Sequence, residues 1–286
     1  MAKVFTNALL CSNTTTATFR AWAAFLDSIF SAGLFNVTDG AQVNLTTVAI
    51  PTTTQQSLGF RIYRTDDVLT TIYIKVEFGS GTATATPAIW ITIGTTYTAG
   101  GTIGGVVLLP RTQMASTTND ITTNHVCFGS SGVDRLCFCM FTSLAAQTFW
   151  FSFERRKDAT IANADTGVVL DGGLAATLHW SLCAPFTGVI PTAEKGMQFI
   201  LSTNNPAAYG ALVPEGLRIP CLGPSEPPGL NVAVCTASDY GSYAEPLLNI
   251  ATVDHAFKQC GPYITTLRGA TTGVVDVNTR LLLRYE

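Results

Sequence analysis

The chain has 286 residues, of which 47% are hydrophobic and only 12% charged, against about 25% charge in an ordinary globular domain. That length suffices for one large all-β domain or two smaller ones, and the apolar content excludes a disordered chain. The net charge is −3, and the densest basic spot, Arg155-Arg156-Lys157, is flanked by Glu154 and Asp158; it reads as a small solvated cluster and excludes the basic stripe of a nucleic-acid binder.

The opening residues, MAKVFTNALLCS, imitate a lipoprotein signal. Thr6 and Asn7 interrupt the apolar stretch, and Leu10 stands before Cys11 where a small residue is needed, so no signal is expected. A helix is predicted over about 17–33. Phe19, Trp22, Leu26, Ile29, Phe30 and Gly33 recur at spacings of three and four, which makes one apolar face. Thr16 or Thr18 is expected to cap it, with Gly33 ending it in the left-handed conformation. The face should pack into the protein or a partner subunit, because the helix lacks the basic polar side of a membrane-surface helix.

After the helix the period changes from 3.6 to 2. Strands are predicted at Val43–Ile50, Leu58–Tyr63, Ile72–Phe78 and Ile89–Ile93, with Leu58, Phe60 and Ile62 on one face of the second and Arg61 and Tyr63 on the other. Each is expected to be half-buried, with one wet face. Asp66-Asp67 and Gly79-Ser80-Gly81 are the predicted turns between them. No charge occurs between Phe78 and Pro110, but Gly, Thr and Pro87 make buried strands a better reading than a membrane helix. Further strands are predicted at Val106–Leu109, Arg135–Phe141, Thr148–Phe153, Leu178–Leu182, Gln198–Leu201, Asn231–Cys235 and Leu281–Tyr285. Thr112–Asn124 reads as a long loop. Pro220–Pro228 is the strongest breaker and a candidate domain boundary or surface loop. With no second long amphipathic helix, parallel βαβ folds are excluded. The expected fold is mainly β: an antiparallel β-sandwich or jelly-roll-like body with one N-terminal amphipathic α-helix. It forms a single domain over 1–286, with a candidate subdivision at 220–228.

No residue is assigned a catalytic, cofactor-binding or metal-binding role. The eight cysteines stand at 11, 127, 137, 139, 183, 221, 235 and 260, and free buried thiols are expected of them. Cys137 and Cys139 share one strand face, but His125, His179 and His255 are isolated, so the ligand spacing of a metal site is missing. There is no G-x-S-x-G, no H-E-x-x-H and no phosphate loop ending in G-K-[ST]. Gly100-Gly101 and Gly104-Gly105 read as turns. Asp254-His255 is a pairing that chance supplies readily. Glu154 and Asp158 would lie about 13 Å apart on an extended strand, beyond the ~6.5–9.5 Å of an inverting glycosidase pair. Tyr97, Tyr209, Tyr240 and Tyr243 lie in small-residue loops, where tyrosines serve either as carbohydrate or protein contacts or as loop anchors.

The order of features carries a resemblance. The segment FRAWAAFLDSIFSAGLFNVTDGAQVNLTTVAIP is followed by SLGFRIYRTDD, IYIKVEFGSG and PAIWITIGTTYTAGGTIGG, then by FSFERRKDATIANADTGVVL and a final LLLRYE. Together these resemble a family of virion structural proteins of tailed bacteriophages. Its most recognisable piece is the strand with Lys75 and Glu77 closing on Gly79 and Gly81; the second is Glu154, Arg155 and Asp158. The resemblance covers roughly residues 18–170 and the last few. It implies a viral structural protein with no enzymatic activity, built into the particle in several copies and made and assembled in the host bacterial cytoplasm. Tail, baseplate or neck is the first expectation. Capsid decoration and receptor or glycan binding are the alternatives. The implied partners are other virion proteins and copies of itself, with a host surface glycan or receptor as a further candidate; no nucleic acid, membrane or cofactor is implied.

Overall fold

Helix α1 spans Thr16–Gly33 and buries Phe19, Trp22, Ala23, Leu26, Ile29 and Phe30, the face that the sequence period selects. Its cap is Thr15, one residue before the predicted positions. The Thr15 hydroxyl accepts the Thr18 N–H at 3.1 Å, and Thr18 Oγ1 accepts the Thr15 N–H at 3.2 Å, a reciprocal capping box with Thr in place of Glu. Nor does Gly33 end the helix in the left-handed region: the chain leaves through an extended Leu34. Gly33 is required for a different reason. A Cβ there would collide with the backbone of Ser131 and Gly132.

The computed structural model of the chain describes residues 2–67, 71–115, 124–141, 149–157, 165–172, 178–183, 198–201, 218–221, 232–235, 247–250, 253–259 and 280–285. The protein is mainly β, and the strands form antiparallel ladders in a sandwich-like arrangement. One sheet is a meander of β2 (Phe35–Asn36), β3 (Ser57–Arg64), β4 (Tyr73–Ser80), β5 (Pro87–Thr98) and β6 (Thr102–Ala115), in that order. A second sheet runs β1 (Ala2–Leu9), β7 (His125–Gly132), β8 (Arg135–Phe141), β9 (Phe149–Lys157), β10 (Asp165–Gly172) and β11 (Leu178–Cys183). A third contains β12 (Gln198–Leu201), β13 (Arg218–Cys221), β14 (Val232–Cys235), β15 (Leu247–Ile250), β16 (Val253–Gln259) and β17 (Arg280–Arg284), in the order β12-β13-β14-β17-β16-β15.

Helix α1 and the first two sheets share one core. Ile74, Val76 and Phe78 of β4 and Ile89, Ile91 and Ile93 of β5 join Leu136, Phe138 and Met140 of β8 and Phe151 and Phe153 of β9. Phe30 bridges the layers, stacking on Tyr63 at 4.9 Å between ring centroids and meeting Phe138 at 5.8 Å. Each such fully buried side chain contributes about 1.5–3 kcal/mol relative to exposure. The opposite face of β7 and β8 is covered by the C-terminal residues. Ser130 Oγ donates to the Arg284 carbonyl at 2.9 Å, and Tyr285 meets Phe128 edge to face.

Several expectations are corrected. Val43–Ile50 is irregular, not a strand. Asn44 Oδ1 accepts the Thr46 N–H at 2.9 Å, which bends the chain, and Arg20 binds the carbonyls of Thr47 and Val48. These local and tertiary bonds override the β-propensity of Thr and Val. In β3 the faces are exchanged: Tyr63 and Arg61 face the helix, because Tyr63 pairs with Ile74 and Arg61 with Val76. The predicted wet face of β5 is covered as well, with Trp90 only 3% exposed. Gly79 and Ser80 belong to β4, paired with Ala88 and Pro87; Gly79 is a glycine because the Gln56 carbonyl occupies the Cβ position. Gly104-Gly105 lies within β6, although Gly100-Gly101 does make the turn before it. Strand β6 also takes in Thr112–Ala115 from the predicted loop, since Met114 packs opposite Ile89. Pro220 sits in β13 opposite Phe199. The β13–β14 ladder touches only at Arg218 and Val234, so no N–H is needed from Pro220 on that side; residues 222–228 lie outside the described ones. The imitation signal folds in part as β1, and among the described residues no helix is long and apolar enough to cross a membrane.

Candidate functional site

Lys75 and Glu77 lie on the face of β4 turned away from α1. Register places Glu77 beside Phe60 and Trp90. Arg111 of β6 donates from Nε and Nη2 to the two Glu77 carboxylate oxygens at 2.8 and 3.2 Å. Its guanidinium also lies over the Trp90 ring at 4.5 Å. Lys75 Nζ stands 3.8 Å from Glu77 and 5.0 Å from the Phe60 ring centroid. The result is a ladder, Phe60–Lys75–Glu77–Arg111–Trp90, that crosses four strands. Both carboxylate oxygens are engaged by a bidentate arginine, an arrangement suited to holding strands in register.

Glu154 and Arg155 of the second resemblance motif are interior, which corrects the expected solvated cluster at these two positions. Arg155 is 2% exposed. Its Nη2 is paired with Asp66, and its Nη1 donates to Thr65 Oγ1 and the Asp66 carbonyl, each at 3.0 Å. The pair ties β9 of the second sheet to the end of β3 in the first. Asp66 therefore works as a tertiary ligand within its bend, while Asp67 is exposed, with Arg64 3.9 Å away. Glu154 is buried and faces Arg135 across the β8–β9 ladder. Burial and the neighbouring Arg284 pull the Arg135 guanidinium down to about 10. Asp158 lies outside the described residues. A third tie joins helix and sheet: Asp27 accepts from Arg61 Nε at 3.0 Å and from the Tyr63 hydroxyl. Burial, and then Asp27, push the Tyr63 phenol well up.

Of the loop tyrosines, Tyr97 is described and Tyr209, Tyr240 and Tyr243 fall outside. Tyr97 donates to Asp39, which also accepts the Gly100 N–H at 2.8 Å and so clasps the β5–β6 hairpin. Backbone N–H groups of Ala41 and Gly100 hold the Asp39 carboxyl below its usual range. The Tyr97 ring stacks on Tyr73 at 5.7 Å. Cys11, Cys127, Cys137 and Cys139 are free and buried, as expected. Cys183, Cys221 and Cys235 fall in β11, β13 and β14, and Cys260 lies outside. His125 is buried at the start of β7. His179 lies on β11, while Asp254 and His255 occupy consecutive positions on β16, opposite Asn249 and Leu248. Among the described residues no group of three or more His, Cys, Asp or Glu could hold a metal ion.

Sequence reasoning missed Arg111, Asp27 and Asp39, the residues that complete these ties. Only Arg111 carried a signal, as the one charge on the otherwise neutral strand β6. Comparison with known protein families, curated proteins and solved structures finds no match.

Proposed function

We propose that this protein is a non-enzymatic structural component of a tailed-bacteriophage virion, present in several copies and placed in the tail, baseplate or neck. The observation that carries the reading is strand β6. It has 14 residues and closes its sheet with one side unpaired among the described residues. Strands β10 and β11 of the second sheet approach it without forming a ladder, and an edge that lacks a ladder can pair with another chain and is covered in symmetric assemblies by neighbours. Pro110 and the exposed Arg111 blunt its middle and restrict such pairing to the stretches on either side. Lys75, Glu77 and Arg155 of the resemblance motifs support the same reading, because they join strands and layers. A stiff layered body of this kind suits a load-bearing subunit.

A second reading, binding of a host glycan, is favoured by the stacked Tyr73 and Tyr97 beside Asp39, since sugars stack on aromatic rings and bond to carboxylates. The test is the mass of the purified protein in solution, together with its binding to tailless heads, to isolated tails and to host polysaccharide. An oligomer that binds tails and not heads is expected. Binding to heads alone would make it a decoration protein, and binding to polysaccharide alone would favour the glycan reading. Binding to none of the three would overturn the virion assignment.

A further inference from the structure

Cys11 and Cys127 face each other inside the protein with 3.8 Å between their sulfur atoms, although they stand 116 positions apart in sequence. Cys11 belongs to the short segment that leaves β1, and Cys127 lies on β7, the strand that β1 pairs with. No other side chain separates the thiols, and a disulfide bond length is about 2.05 Å, so closure needs a sulfur displacement of roughly 1.8 Å. Two anchors hold the segment in place. On one side is the β1–β7 ladder; on the other, Asn13 bonds to the carbonyls of Gly79, Thr84 and Thr86. The ladder itself is irregular next to Cys11, where its register shifts between Thr6 and Leu9. An edge strand that is irregularly paired opens more readily than the core beneath it.

We infer that Cys11 and Cys127 are a built disulfide site, reduced in a thiol-rich compartment and closed by a small-molecule disulfide outside it, which clasps the N-terminal arm to the second sheet. The steps balance as thiol–disulfide exchange. One cysteine loses its proton and attacks a sulfur of R–S–S–R, forming a mixed disulfide and releasing RS⁻. The second cysteine, once deprotonated, attacks the protein sulfur of that bond and releases a second RS⁻. Two protein thiols are oxidised, one external disulfide is reduced to two thiols, and the two protons pass to the departing thiolates. Burial and the adjoining Cys127 push the Cys11 thiol up, so the exchange proceeds through openings of the β1 edge and quickens with pH. The closed loop is long, which favours a large restriction of the unfolded chain.

The experiment treats the full-length protein with oxidised glutathione at mildly alkaline pH, then maps unreduced peptides by mass spectrometry and records Tm. The expected result is a Cys11–Cys127 linked peptide, a Tm higher by roughly 5–10 °C, and reversal by dithiothreitol. Cys11→Ser and Cys127→Ser should each abolish the linked peptide and the gain. Should one variant fail to fold, the wild-type peptide map still decides. Recovery of the two cysteines as thiols, as separate glutathione adducts or in bonds to other cysteines would overturn the assignment. So would the linked peptide without a rise in Tm.

Discussion

The indole N–H of Trp22 donates to Asn13 Oδ1 at 3.0 Å within the core, and this bond docks helix α1 on the first sheet. The Asn13 amide reaches the carbonyls of Gly79, Thr84 and Thr86 at 3.0–3.1 Å, so one side chain serves the helix and the turn after β4 together. Trp22→Phe keeps an aromatic ring but leaves Asn13 Oδ1 without that donor. The expected cost is about 1–3 kcal/mol, the penalty of orphaning a buried polar atom. Asn13→Ala should cost at least as much, because it strands both the indole and the carbonyls. Urea unfolding with an unchanged slope measures both. A Trp22→Phe protein as stable as the wild type would refute the assignment.

Gly33 lies against the backbone of Ser131 and Gly132, where a methyl group has no room. Backbone cannot rotate aside as a long side chain can. Gly33→Ala should therefore push α1 away from β7 and cost on the order of 2–3 kcal/mol. Gly40 is the control, with nothing within 4 Å of a Cβ there. Gly40→Ala should be neutral or stabilising by up to about 1 kcal/mol, through a less flexible unfolded chain. Equal effects at the two positions, read from thermal unfolding, would show that close approach is not what Gly33 provides.

The Arg155–Asp66 pair crosses between sheets with its arginine side chain wholly buried and the aspartate 14% exposed. Removing one partner strands a charge in the interior. Asp66→Ala or Arg155→Ala should each cost about 3–5 kcal/mol. The double variant should lose less than the sum of the two. Arg64 and Asp67 form a contrasting pair whose aspartate is 77% exposed; Asp67→Ala should change stability by less than about 0.5 kcal/mol. Denaturant midpoints for the four variants test the contrast, and additive losses at Arg155 and Asp66 would count against a direct pair.

How far the sequence foretold this fold depended on how many faces of each element are buried. Helix α1 has a single buried stripe, so Phe19, Trp22, Leu26, Ile29 and Phe30 declared it. Strands β8 and β12 were legible to their end residues, because an apolar run between polar segments needs no knowledge of facing. Strand β3 was misread because both of its sides are covered: Ile62 and Tyr63 are each about 1% exposed or less, so alternation could not say which one meets the helix. Val43–Ile50 misled because Asn44 and Arg20 decide its course. Of the charged ladder, Lys75 and Glu77 were visible on one strand. Arg111 is 34 positions from Glu77 and becomes its neighbour only through the β4–β5–β6 register, as Asp66 meets Arg155 only through the packing of two sheets.

Alkaline pH should weaken the reduced protein. Burial pushes the Cys11 and Cys137 thiols and the Tyr63 phenol up, so the folded state keeps protons that the unfolded chain releases near its ordinary values of about 8.5 for Cys and about 10 for Tyr. Over that range the unfolded state binds fewer protons than the folded one, and stability falls as pH rises. Arg135 acts in the opposite sense. Its guanidinium is pulled down to about 10, so above that pH the unfolded chain holds the extra proton, and further alkali favours folding through this group. The unopposed window is therefore about pH 8.5 to 10. Urea midpoints measured under reducing conditions should be level near neutrality and decline through that window. Cys11→Ala together with Cys137→Ala should flatten the first part of the decline and leave the part that Tyr63 causes. A wild-type profile that stays level to about pH 10 would mean that these thiols ionise in the folded state as freely as in the unfolded chain, and would refute the prediction.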